Sequence, residues 1–262
     1  MYRFLFRPIW LLFHVVVVAG IVTMILLGFW QLDRLDERQE FNRSVIERSE
    51  QPPVPLTELL GQVESGTDDI GELEWRRVTA SGTFLPDQIL EFNNSQGGRA
   101  GDNVLTPLLL DDLDLTVIVN RGFIPLGFDT PSSPQVGVDI TGFVRPSEVR
   151  DRGSLTDAQE EGEALTEIRR IDVPLLAEQI EGEVAPVYVQ LTDSSSGVGA
   201  GDPEPVILPE LNSGPHLSYA MQWFIFALAV AVGWFLAVRR SIGQHRRDAA
   251  VKSTARVESE LS

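Results

Sequence analysis

Cysteine is absent from all 262 residues. That excludes disulfides, thiolate metal sites, redox dithiols and c-type haem attachment. Methionine occurs only at positions 1, 24 and 221, too few for a Met-rich copper site. Histidine is equally scarce, at His14, His216 and His245. A hydrolase triad needs a histidine in the polar part of the chain. Only His216 comes near it, and no Gly-x-Ser-x-Gly elbow accompanies it.

Charge is missing from two long stretches. Pro8–Leu32 and Leu217–Val238 contain no Asp, Glu, Lys or Arg. Each is long enough for a bilayer-spanning helix, which needs about 20 apolar residues. Between them, residues 33–216 hold 13 Arg against 35 Asp and Glu, a net charge of −22. So acidic a segment repels phosphate, which argues against nucleic acid as a partner. Arg3 and Arg7 precede the first run, and Arg239, Arg240, Arg246, Arg247 and Lys252 follow the second. Basic residues beside spans stay cytoplasmic, so both termini are expected inside and the acidic segment outside. The first run is longer than a signal-peptide core, and bulky residues follow it where a peptidase needs small ones, so an uncleaved anchor is expected. No Arg/Ser-rich presequence precedes it, which favours a bacterial plasma membrane over a mitochondrial one.

The resulting division is a cytoplasmic tail at 1–8, a span at 9–32, an extracytoplasmic domain at 33–215, a second span at 216–238 and a basic tail at 239–262. Residues 34–50 lack Gly and Pro and extend the first helix, with Pro52, Pro53 and Pro55 ending it. A short helix is expected at Leu56–Leu60, closed by Gly61, with a loop at 62–73. Strands are expected at Trp75–Phe84, Ile89–Phe92, Val104–Leu110, Leu115–Asn120, Val136–Val144, Ala164–Ile171 and Pro186–Leu191. Asp172 N-caps a helix expected to run through Ile180, with Gly182 behind it. The fold class is therefore a membrane protein in which two terminal transmembrane helices enclose one mainly antiparallel β domain, barrel- or sandwich-like.

Several chemical motifs dissolve on inspection. Gly197–Gly201 sits between a serine run and Asp-Pro-Glu-Pro, which cannot open a phosphate-binding helix. Asp111, Asp112 and Asp114 lack the glycine and distal glutamate of a calcium loop. His14 lies within the first span; it is either functional or a neutral imidazole bonded to a neighbouring helix. His216 follows Pro215 at the expected start of the second span. Tyr219, Ala220, Trp223, Ala227, Val230 and Trp234 fall within about 60° of it round a helix. That stripe reads either as an interfacial aromatic belt or as a slot for a flat macrocycle, since haem needs one axial His and apolar walls.

The chain resembles the surfeit locus protein 1 family. Gly28-Phe-Trp30-Gln31-Leu-Asp-Arg34 is similar to its G-x-W-Q-x-x-R span exit. Arg77-Val78 with Gly82 and Phe84, Thr106-Pro107-Leu108, and Val119-Asn120-Arg121-Gly122-Phe123-Ile124-Pro125 resemble its strand motifs. His216-Leu-Ser-Tyr219-Ala220-Met-Gln-Trp223 resembles its entry to the second span, although Gly214-Pro215 stands where many relatives have Asn before the His. The resemblance implies a non-enzymatic assembly factor for the haem-copper cytochrome c oxidase, with haem a as cofactor. It implies the oxidase catalytic subunit, haem a synthase and the lipid bilayer as partners. His216 carries over as candidate axial ligand, with Trp30 and Gln31 facing it from the first span and Tyr219 and Trp223 packing on the macrocycle. Arg121 is carried as a partner for a haem propionate or the oxidase, against a structural salt bridge, and Gly122 as a turn residue needing positive φ. The alternative implied function is a scaffold that stabilises an oxidase intermediate without binding haem.

Overall fold

The uncharged run and the charged extension form one helix, α1, over Pro8–Ser49. Nothing in 8–49 breaks it, and at about 1.5 Å per residue it is about 63 Å long. A second long helix, α4, covers His216–Leu261, running well past the expected end of the second span. The computed structural model describes residues 3–64, 69–111, 113–133, 137–148, 164–194 and 202–261. Gly197–Gly201, Asp112 and Val136 lie outside the described residues. Two compact units result, one formed by α1 up to Asn42 with Leu211 onward, the other by Arg43–Glu210.

Pro8–Ser49 and His216–Arg247 are each long and apolar enough to cross a membrane. Their most apolar windows are 0% and 6% buried, so neither is the core helix of a soluble fold.

The second unit is β-rich. Its elements are β1 (Val54–Pro55), α2 (Leu56–Glu64), β2 (Arg77–Phe84), β3 (Ile89–Gln96), β4 (Arg99–Leu110), β5 (Leu115–Pro125), β6 (Gly137–Pro146), β7 (Glu167–Ile168), α3 (Val173–Ala177) and β8 (Glu183–Ser194). The order β2-β6-β8-β5-β4 closes on itself through Gly82↔Leu110 and Phe84↔Leu108, giving a five-stranded barrel. Every pair in the ring is antiparallel except β5 with β8. β3 and then β7 extend the sheet beyond β4, and β1 lies parallel to the start of β2.

Closure gives the barrel an inside, filled by Val78, Phe84, Leu108, Val117, Val119 and Val187, with Leu56, Leu59 and Leu60 of α2 packed into the same cluster. A second cluster joins Ile118 and Tyr188 to Ile168, Ile171, Val173 and Leu176. β5 is thus covered on both faces, which is why Thr116–Asn120 reads as an unbroken buried run rather than an alternation.

The departures from expectation have physical causes. α2 passes through Gly61 to Glu64, because Val63 packs on the barrel core and carries the helix onward. Part of the expected 62–73 loop is a 3-10 turn at Ile70–Leu73, N-capped by Asp69. β3 and β4 run on, past the expected ends, to a two-residue turn at Gly97-Gly98 with φ of +59° and +77°. Such a mirror-image turn suits the twist of a hairpin. In Ala164–Ile171 only Glu167–Ile168 forms a ladder, with β3. Its apolar residues Leu165, Ile168 and Ile171 are all buried, at a spacing of three, so they pack without alternating. Asp172 does cap α3, its Oδ1 accepting from Leu175 N at 3.2 Å. The helix stops at Ala177, short of Ile180, and Gln179 turns to bond both backbone groups of Leu165.

Candidate functional site

His216 opens α4, and its backbone entry is built from four residues. Asn212 Oδ1 accepts from Gly214 N at 3.2 Å, and Gly214 takes φ +64°. Pro215 O then accepts from Ser218 Oγ at 2.7 Å and from Tyr219 N at 3.2 Å. The Asn212 carbonyl accepts from Arg38 Nε at 3.3 Å and from Asn42 Nδ2 at 3.1 Å, both on α1. This fixes the start of α4 against α1.

The imidazole is half-buried, and its Nδ1 lies 2.9 Å from Gln31 Oε1. An amide oxygen accepts only, so Nδ1 carries a proton, and in the neutral ring Nε2 is then the nitrogen with the lone pair. The other edge of the ring faces Gly214. A Cβ at Gly214 would sit 3.2 Å from Cδ2 and 3.3 Å from Nε2 of His216. Glycine at 214 thus lets the backbone lie close against this edge of the ring, where a side chain would press on it.

Of the expected site residues, the structure joins His216 to Gln31. Trp30 and Tyr219 are 53% and 49% exposed. Trp223 is half-buried and stacks edge-on with Phe226 of its own helix at 6.2 Å. Gly28, Arg38, Asn42 and Gly214 carry roles that no spacing rule assigns. Gly28 is buried, and a Cβ there would lie 2.6 Å from the ring of Phe224, which also stacks on Phe29 at 5.5 Å. Glycine inside a helical apolar run was the available signal for it, though Gly20 in the same run gave the same signal and meets nothing.

His14 takes the bonded reading. Its Nδ1 accepts from Trp234 Nε1 at 2.9 Å, and its ring packs with Trp10, Phe13 and Trp234.

Arg121 belongs to the barrel unit and is the extra residue of a bulge, with Val104 facing Gly122 and Leu105 facing Asn120. It is 6% exposed. Its guanidinium lies over the Phe84 ring at 5.6 Å and pairs with Asp202 at 3.6 Å. Nη1 is buried without a hydrogen-bond partner among the described residues. Burial lowers its pKa, and Asp202 opposes that shift. Gly122 has φ +140°, the expected positive φ, but in the bulge rather than a turn. Its N–H donates to Asn120 Oδ1 at 3.1 Å, and Phe123 exchanges both backbone bonds with Glu204. Among the described residues no group of three His, Asp or Glu could hold a metal ion.

A closed β-barrel unit in the middle of the sequence, with a long apolar helix before it and another after it that opens on an oriented imidazole, defines a two-helix, membrane-type class of protein. The chain belongs to the SURF1 family, matching it over residues 18–228. It is 32% identical over 255 residues to an uncharacterised SURF1-like protein of Mycobacterium tuberculosis, covering 94% of this chain and 90% of that one. To surfeit locus protein 1 of Homo sapiens it is 26% identical over 237 residues, 82% of this chain and 73% of the human one. To that of Gallus gallus it is 31% identical over 150 residues, 49% of this chain and 46% of the other. Membership implies a role in cytochrome c oxidase assembly, and SURF1 proteins are membrane-associated.

Proposed function

We propose that this chain is a bacterial plasma-membrane protein that holds haem a for the catalytic subunit of the haem-copper oxidase, receiving it from haem a synthase, without catalytic turnover. The observation that carries this reading is the hydrogen bond of His216: Gln31 Oε1 engages Nδ1 at 2.9 Å, which leaves Nε2 as the nitrogen for a ligand. Ligating histidines commonly have their second nitrogen fixed in this way.

Haem, when bound, would supply an iron that takes an imidazole nitrogen. His216 Nε2 would hold it. Gln31 keeps the ring from rotating. Trp30, Tyr219 and Trp223 offer aromatic surface for the macrocycle, and the exposure of the first two leaves it open for transfer. Arg121 needs no ligand to explain it, since Phe84 and Asp202 already engage it.

The optical spectrum tests the assignment. In full-length protein co-produced with haem, His216→Ala should abolish or strongly shift the Soret band, and Gln31→Leu should weaken it. Trp223→Ala should loosen binding without removing the iron bond, because it deletes packing alone. His14→Ala should leave the band intact.

The second reading, a scaffold for an oxidase intermediate, draws on the exposure of Trp30 and Tyr219, which suits a protein surface equally well. It prevails if His216→Ala leaves both spectrum and oxidase assembly unchanged.

Both readings place the termini in the cytoplasm and the barrel outside, on the distribution of basic residues. The absence of cysteine makes labelling clean. Glu167→Cys should react with an impermeant thiol reagent in intact cells, and Gln244→Cys should not. The reverse pattern would overturn the topology.

A further inference from the structure

Two short segments of the barrel unit carry no charge, although residues 33–216 are strongly acidic as a whole. They are Pro125-Leu126-Gly127-Phe128, at the end of β5, and Pro205-Val206-Ile207-Leu208-Pro209. Leu126, Phe128 and Ile207 are 65%, 72% and 65% exposed, the most exposed large apolar side chains among the described residues of that unit. Strand register brings the two segments to one end of the sheet. Gly101 of β4 faces Pro125, and Leu126 N donates to Ala100 O at 3.0 Å. Gln96 of β3 faces Arg99 of β4. Its amide donates to Pro205 O at 3.0 Å and accepts from Ile207 N at 3.0 Å. Phe128 N donates to Pro125 O at 3.3 Å across a turn that uses the φ of +89° at Gly127. Both backbones are therefore anchored while their apolar side chains stay in the open.

We propose that this end of the barrel rests on the lipid bilayer, with Leu126, Phe128 and Ile207 entering its interface. Apolar side chains on a fixed, uncharged backbone gain by leaving water, and Phe and Leu are the residues with which surface segments enter the acyl boundary. The length of the chain points to lipid as the occupant. Leu208 stands eight residues before His216, where the apolar run of α4 begins. Eight residues reach at most about 29 Å, so the patch is tethered close to hydrocarbon. The contact is apolar rather than electrostatic, because Asp129 and Glu210 border the two segments and Arg99 nearby is paired with Glu204. The inference rests on the membrane reading of α4, not on the haem reading.

The missing cysteines make the test clean. Full-length Leu126→Cys, Phe128→Cys and Ile207→Cys are labelled with a nitroxide and reconstituted in phosphatidylcholine vesicles. Leu113→Cys, an exposed leucine in the turn at the other end of β4, is the control. All four substitutions lie on exposed side chains, so the fold tolerates them. Flotation first establishes insertion; a chain that does not float refutes the membrane reading itself. Paramagnetic resonance then compares collisions with oxygen, which concentrates in lipid, and with a neutral nickel chelate, which stays in water. Labels at 126, 128 and 207 should favour oxygen, and the label at 113 should favour nickel. Nickel preference at 126, 128 and 207 would overturn the proposal, and so would equal oxygen preference at 113. Protection of the three labels from both collision partners would place them against protein, a second copy included, and would overturn lipid as the occupant.

Discussion

The indole N–H of Trp234 donates to Nδ1 of His14 at 2.9 Å, joining α1 to α4 within the apolar part of both helices. A ring nitrogen that accepts carries no proton, so this imidazole is neutral with its hydrogen on Nε2. Removing either partner should cost the pair about 0.6 kcal/mol, and at most about 1.7 kcal/mol. A double-mutant cycle of His14→Ala and Trp234→Phe, measured by denaturing-detergent titration in bicelles, should return a coupling of that size. Independent effects would show that the bond does not contribute.

Gly28 and Phe224 make a steric pair. Gly28→Leu should destabilise the helix unit by about 1–3 kcal/mol, the usual cost of overpacking. Gly28→Leu with Phe224→Ala should recover most of the loss, because the ring occupies the space the new side chain needs. The same titration reads both, and an unrescued double variant would reject the pairing.

Gly122 holds φ +140°, and a Cβ there would fall 2.3 Å from Glu204 O. Both the dihedral and the neighbouring backbone resist a side chain. Gly122→Ala should therefore cost on the order of 3 kcal/mol, seen as an earlier thermal transition of the β signal in circular dichroism. A transition unchanged from wild type would mean that the 202–204 segment yields freely.

Burial raises the pKa of the Glu91 carboxyl; a hydrogen bond from Asn103 opposes the shift, and the charge of Glu148 adds to it. The folded protein thus holds this proton more tightly than the unfolded chain. Stability from this group is complete below the usual carboxylate range and is lost as pH rises through its folded pKa. Glu91→Gln should consequently melt higher than wild type near neutral pH, and the gap should close below about pH 4. A gap that widens on acidification would reverse the sign and refute the argument.

Legibility varied with the range of the interaction. Local chemistry was readable: the cap at Asp172, the helical run from 34 to the prolines, and the strands expected at Trp75–Phe84 and Leu115–Asn120, which form over Arg77–Phe84 and Leu115–Pro125. What depended on distant partners was not. Gly61 fails to stop α2 because Val63 has a core to reach, and Leu165, Ile168 and Ile171 are buried without pairing as a strand. Closure of the barrel through Phe84 and Leu108 has no sequence signature at all. At the candidate site, His216 stood out at the start of the second span and Gln31 emerged from family resemblance, and their bond follows from antiparallel helices. The support beneath them, Arg38 and Asn42 on a backbone carbonyl, involves residue types too common to signal a role.

That carbonyl has a consequence for chain length. Asn212 O is pinned by Arg38 and Asn42, and only Ser213, Gly214 and Pro215 separate it from His216. These three residues set the rotational phase of α4. One residue added or removed would turn the helix start by about 100° and aim the imidazole away from Gln31. The length of this short connection should therefore be as intolerant of change as the histidine itself.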